Sequence, residues 1–180
     1  YHISQVEIFR QHPVEELKWK SNPNSWSGLE CIEHLNMYGD YYLPVMEREI
    51  VRNSSPAKVY YKPGLLGNYF ANMMLPGERS RKVKTLKDKD PNGSNLDKKT
   101  LDRFLVQQEK TLELLNNART HNLNKIKIPI SIATWIKLNL GDTFRVVIYH
   151  NLRHIEQARG VLEKKFSGTK REDVFREAAE

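Results

Sequence analysis

The chain has 180 residues, 39% of them hydrophobic and 28% charged, with a formal net charge of +7. That length accommodates a single domain (1–180) with a sizeable core, and no run of roughly 18 apolar residues exists to cross a membrane. The one cysteine, Cys31, excludes an intramolecular disulfide and fits a reducing, cytoplasmic setting.

Residues 2–20 carry a weak helical pattern through Ile3, Val6, Phe9, Val14 and Leu17, interrupted by Pro13. Proline inside a helix removes a backbone hydrogen bond and clashes with the preceding turn, at roughly 3 kcal/mol. The pattern therefore predicts a break near His12, with Pro13 opening a second short helix. His2 and His12 read as surface residues. After the turn cluster Ser21–Ser27, Ser27 reads as an N-cap, and Glu30 three residues on completes a capping box. The long helix that follows runs to about Arg52. It bends at Pro44 and places Cys31, His34, Leu35 and Tyr38 inward.

Residues 53–96 read as a long connection holding a short helix at Leu65–Leu75. In a bundle, such a connection joins two helices that run parallel. Within it, the run from Arg79 to Lys89 concentrates positive charge without aromatics, so it reads as a solvated loop rather than a phosphate-binding strip; nucleic acid is not an expected partner. Asp97–Arg119 forms the next long helix, with a stripe of Leu101, Phe104, Leu105, Gln108, Leu112 and Leu115. Lys125–Leu138 alternates and is β-branched. No partner strand is evident, so the segment reads as an extended stretch lying along the bundle. Trp26 and Trp135 read as packing residues.

The last long helix starts at Asp142 as a cap and extends to about Phe166, with a short terminal helix at Asp173–Ala179. Val147, His150, Asn151, His154, Ala158, Val161 and Leu162 recur on one face. Of six histidines, three fall on apolar helix faces: His34, His150 and His154. Taken singly, each is explained as a core histidine satisfied by a hydrogen bond. Together they fit a metal site, because one divalent ion satisfies three buried imidazoles at once.

The strings Trp26-Ser-Gly-Leu-Glu-Cys-Ile-Glu-His34-Leu-Asn, Gly141-Asp142 and His150-Asn-Leu-Arg-His154-Ile-Glu-Gln157 resemble the DinB-like family of metal-binding proteins, over nearly the whole chain. The resemblance implies an all-α fold: a four-helix bundle, up-down-down-up, with its long crossover between the second and third helices. It also implies a three-histidine site that carries over to His34, His150 and His154, and a homodimer. Relatives imply thiol-dependent transferase or isomerase chemistry with a low-molecular-weight thiol such as bacillithiol or mycothiol.

Three imidazoles suit zinc, nickel or iron and leave a coordination position at which a thiol or a water could be activated. The expected function is thus a divalent-metal enzyme, an S-transferase or a hydrolase acting on a small-molecule substrate. The alternative is a non-catalytic, metal-stabilised bundle that binds a small molecule or a partner protein. Gln157 is placed to orient a ligand, Glu30 reads as a cap before a possible base, and Tyr38 and Asn151 read as pocket lining. Arg153 reads as an inter-helix or surface pair and Glu156 as solvated.

Overall fold

The computed structural model describes residues 1–76 and 85–177, with side chains through residue 167. Helix α1 (His2–Gln11) and helix α2 (Val14–Lys18) are separated at Pro13, which occupies the α2 N-cap position with φ −55°. Helix α3 (Gly28–Arg52) starts at the Ser27 capping box. The Ser27 backbone N–H donates to Glu30 Oε2 at 2.8 Å, and the Glu30 N–H donates to Ser27 Oγ at 3.2 Å. The helix continues through Pro44 to Arg52. Helix α4 (Leu65–Met74) and a 3₁₀ turn (Lys87–Lys89) lie in the crossover, ahead of helix α5 (Lys99–Ala118). Strands β1 (Lys127–Ile130) and β2 (Ala133–Asn139) precede helix α6 (Leu140–Glu177).

Cross-links between helices fix their directions. Glu33 and Asp40 of α3 both meet Arg103 of α5, and Glu47 meets Lys110, so residue numbers rise together and the two helices run parallel. Arg10 of α1 pairs with Asp102, and Lys98 Nζ donates to the Arg10 carbonyl, while His2 hydrogen-bonds Gln108; α1 therefore opposes α5. Leu29, Ile32 and Leu35 share a cluster with Ile155, Ala158 and Leu162, whereas Met46 and Ile50 share one with Leu140 and Phe144, so α6 opposes α3. The result is the expected up-down-down-up bundle of α1, α3, α5 and α6, and the parallel α3–α5 pair is what requires the long crossover.

The core comes in two apolar clusters. One gathers Val6, Phe9, Leu29, Ile32, Leu35, Leu101, Phe104 and Ile155. The other gathers Met46, Ile50, Leu114, Ile126, Ile128, Leu140 and Phe144. Buried polar side chains lie between them in sequence on two helices, Gln108 and Thr111 on α5 and Asn151 on α6, and His34 on α3 lies within the stretch of the first cluster. Cys31 is fully buried in the first cluster, and burial pushes its thiol pKa up, as expected of a packing residue.

Several local expectations are corrected. The segment after α5 is a β-hairpin: Lys127 pairs with Asn139, Ile128 with Leu138 and Pro129 with Lys137, antiparallel, with an irregularity at Ile130. The alternating segment is long enough to fold back and serve as its own partner. Ile128, Ile130 and Leu138 form the buried side, and the opposite side carries Trp135, 82% exposed rather than packed. On α5, Leu112 is exposed, and Thr111, Leu114 and Ala118 face inward instead. Three-residue steps from Gln108 hold the buried stripe against α3, and Leu112 falls off that stripe.

Helix α6 begins at Leu140, so Asp142 lies in the first turn and not at the cap. Buried there, Asp142 accepts from the Gly64 N–H at 2.9 Å and pairs with Arg145 at 3.5 Å, which pins the crossover to the helix start. A Cβ at Gly67 would overlap the Asp142 side chain, and one at Gly141 would overlap the Tyr61 ring, so both close approaches require glycine. The proposed terminal helix is a continuation of α6 through Glu177; residues 178 and 179 of it lie outside the described residues. Most of the basic run, through Lys84, and with it the phosphate-strip reading, also lies outside them. No helix among the described residues is long and apolar enough to cross a membrane.

Replacing a Ser cap by Ala removes an acceptor from the first turn, at about 1 kcal/mol. Ser27→Ala is expected to lower the melting temperature by roughly 2–4 °C for a chain of this size, measured by thermal unfolding. An unchanged melting temperature would show that the capping box is dispensable.

Candidate metal centre

His34 sits in the second turn of α3, directed inward by a helix whose start is fixed by the capping box. His150 and His154 are one turn apart on α6 and face it. One ligand nitrogen from each of the three lies within 4.8 Å of the others, and His34 Nε2 is 3.3 Å from His150 Nε2. Ring centroids are 5.1 Å apart for His34–His150, 4.6 Å for His34–His154 and 4.7 Å for His150–His154.

The donor set fits a metal ion. Two nitrogens at about 2.0–2.1 Å from a tetrahedral centre are themselves about 3.3–3.4 Å apart, which matches the His34–His150 spacing. The tautomers agree. His34 Nδ1 donates to the Lys89 carbonyl at 2.7 Å, and a carbonyl only accepts, so the Nδ1 proton leaves Nε2 as a lone pair. His154 Nδ1 meets Gln157 Oε1 at 2.9 Å, with the same consequence for its Nε2. A neutral His34 with its proton on Nδ1 can only accept at Nε2, so the His150 nitrogen facing it must bring a proton or share a cation. Burial lowers the pKa of all three rings. His154 falls to about 3, with His34 beside it adding to the effect, and His150 falls well below its usual value through burial and then the other two histidines. The cluster is therefore neutral at physiological pH, the form in which imidazole binds metal.

Aromatic rings wall the cluster. The Trp26 ring lies 4.7 Å from His34 and 5.6 Å from His154, and its Nε1 donates to Asp90 Oδ1 at 2.9 Å. Tyr38, one turn after His34, packs edge-on at 5.0 Å from His34 and 4.8 Å from His150. Burial raises its phenol pKa to about 12, so the hydroxyl stays protonated and can donate. These residues line a cavity of about 1030 Å³ that also reaches α4 and the hairpin.

Gln157 and Tyr38 both line this cavity. Asn151 differs: it lines the cavity, but its Nδ2 donates to Gln108 Oε1 at 3.2 Å within the polar layer. Glu30 is a cap residue, as read. It also takes Lys20 Nζ at 2.6 Å and the Gly93 N–H at 2.7 Å. Burial raises its pKa, but these donors outweigh it and the carboxyl titrates below its usual range. Arg153 donates to the Met73 carbonyl at 3.1 Å, tying α6 to α4. Glu156 is not simply solvated, since it accepts from the Tyr1 hydroxyl and from Arg159.

Two contributors escape the sequence reading. Lys89 acts through its carbonyl, which any residue type would supply, so composition gives no signal. Trp26 reads from the sequence as a packing residue, although a tryptophan just before an N-cap, close in sequence to an inward histidine, is a usable hint.

No curated protein and no solved structure matches this chain. A sequence model of the DinB superfamily matches residues 5–158. The match runs from α1 through the histidine turns of α6 and includes all three imidazoles, and the chain belongs to the DinB superfamily.

Proposed function

We propose that the protein is a divalent-metal enzyme in which His34, His150 and His154 hold the ion, and that it transfers a low-molecular-weight thiol to a small-molecule acceptor. The observation that carries this reading is the convergence of three neutral imidazoles, two with tautomers fixed from outside, on a large cavity. A bound ion supplies a Lewis-acid position that lowers the pKa of a thiol or water brought to it.

The chain's own residues do the rest. The Lys89 carbonyl and Gln157 aim the lone pairs, Trp26 and Tyr38 keep water from one side of the rings, and the Tyr38 hydroxyl is a donor at the cavity. Among the described residues, no carboxylate joins the histidine cluster. Hydrolysis through water benefits from a general base, whereas a thiol that has given up its proton needs none at the moment of attack. This favours S-transfer over hydrolysis. The thiol would release its proton to solvent before attack, its sulfur would form the new C–S bond, and the leaving group would depart with the electron pair of the bond that breaks. A reducing cytoplasm suits a free thiol and the single buried Cys31.

A second reading, a metal-stabilised bundle without catalysis, is favoured by the same lack of a base and by ligands that bridge α3 and α6. Turnover separates the two. Thiol consumption with an electrophile panel that is lost on chelation supports the enzyme, and a chelator that lowers the melting temperature in a protein turning over nothing supports the scaffold.

Untagged protein is expected to carry about one divalent ion per chain, and His34→Ala or His150→Ala to carry almost none, measured by elemental analysis. Metal absent from the parent chain would end this reading. Protons compete with the ion for the same nitrogens. The folded-state pKa values lie below the unfolded value of about 6.5, so the neutral cluster's contribution is complete above about 6.5 and is lost as the pH falls toward the lowered folded values. Metal affinity is therefore expected to be level between pH 7.5 and pH 6.5 in calorimetric titration. A tenfold loss across that interval would contradict the neutral cluster.

A further inference from the structure

The cavity runs along α6 from Val146 to Lys164, about 27 Å at the helical rise, and the histidines divide it into two chemically different ends. Beyond His154, the walls are mostly polar, with Asn22, Asn24, Ser25, Gln157 and Lys164 beside Gly160 and Val161. On the other side of His150, they are Phe70, Met73, Ile130, Leu138 and Val146.

Polar groups do occur at this second end, but they are occupied. Tyr42 and Ser131 hydrogen-bond each other, the Thr111 hydroxyl donates to the Gln107 carbonyl at 2.8 Å, and Gln108 accepts from Asn151. The Tyr38 hydroxyl is the exception: it has no hydrogen-bond partner among the described residues, and its side chain lines the cavity beside the rings. The total volume, about 1030 Å³, is at the top of the range for a single ligand, roughly 300–1,000 Å³.

We propose, resting on the thiol-transfer reading above, that the acceptor substrate is a predominantly apolar electrophile bound at the end formed by α4 and the hairpin. The hydrophilic thiol takes the opposite end, and the two meet at the histidines. The acceptor carries a single hydrogen-bond-accepting atom near its reacting carbon, within reach of the Tyr38 hydroxyl.

The test uses S-methyl-, S-butyl- and S-octylcysteine as unreactive analogues that join a polar head to an apolar tail. Their binding is measured by calorimetry to the full chain, metal-loaded and chelated. Affinity is expected to rise about threefold to fourfold per added methylene until the end is filled. The double variant Met73→Gln/Val146→Thr is expected to lose at least half of that slope, while S-methylcysteine binds within twofold of the parent, which also shows that the variant is folded. Octyl binding no tighter than methyl, or a slope that the double variant leaves unchanged, overturns the proposal. The apolar end belongs to the fold, so the slope is expected with and without metal. A slope in protein that never binds metal would leave this inference standing and sink the metal reading, and bound metal with a flat slope would do the reverse.

Discussion

Burying an imidazole costs free energy unless its nitrogens are met, and α3 and α6 bring three of them side by side, His34 buried and His150 and His154 half-buried, against two apolar clusters. That desolvation governs the site. It holds the rings neutral, and it makes the Lys89 carbonyl and Gln157 matter, because each takes one proton-bearing nitrogen and leaves the other to point inward. The polar layer extends through Asn151 and Gln108 to His2 on α1. Each helix of the bundle thus contributes to a stratum that apolar residues would otherwise fill. Partly met polar groups in such a place are costly, and a cation between the inward nitrogens would complete the set.

The crossover is built into this layer. Parallel α3 and α5 leave their connection to travel the length of the bundle, and the chain uses the return to finish the site. Asp142 and Arg145 fasten its first part at Gly64 and Asn68, and Arg153 fastens the end of α4 at Met73. Its last part is held by Asp90 on Trp26, by Gly93 on Glu30 and by Lys89 on His34. The Glu30 carboxylate consequently links two tasks. It caps α3 and anchors the segment whose carbonyl sets the His34 tautomer, so a cap residue reaches the metal cluster without touching it.

What was legible in the sequence was local. Pro13 breaks a helix by covalent geometry, Ser27 and Glu30 cap by spacing, and His150 and His154 share a face by helical period; none of these needs a tertiary partner. The misses depend on what lies opposite. Lys125–Leu138 has strand chemistry, but its turn is Ser131-Ile132, without the Asn-Gly or Asp-Gly signal that announces a hairpin. Leu112 and Trp135 have the composition of core residues and sit where no neighbour covers them. Asp142 has the identity of a cap, yet the crossover offers it the Gly64 N–H, and the helix begins two residues earlier.

The charge balance at the cluster bears on which chemistry the site suits. Three neutral imidazoles bring no negative charge, and the acidic side chains near them in sequence are engaged elsewhere: Glu33 with Arg103, Glu30 with Lys20, Ser27 and Gly93, Asp142 with Gly64 and Arg145, and Glu156 with Tyr1 and Arg159. Asp90 acts on His34 through space but accepts from Trp26. Among the described residues, a divalent charge held by these rings would therefore find no carboxylate within the histidine cluster. Its attraction for an anionic fourth ligand in a desolvated cavity would be correspondingly strong. A soft thiolate meets that demand and carries its own nucleophile. Water would have to surrender a proton with no base in the cluster to receive it. The three-histidine geometry, with no carboxylate in the cluster among the described residues, is thus consistent with the proposed S-transfer.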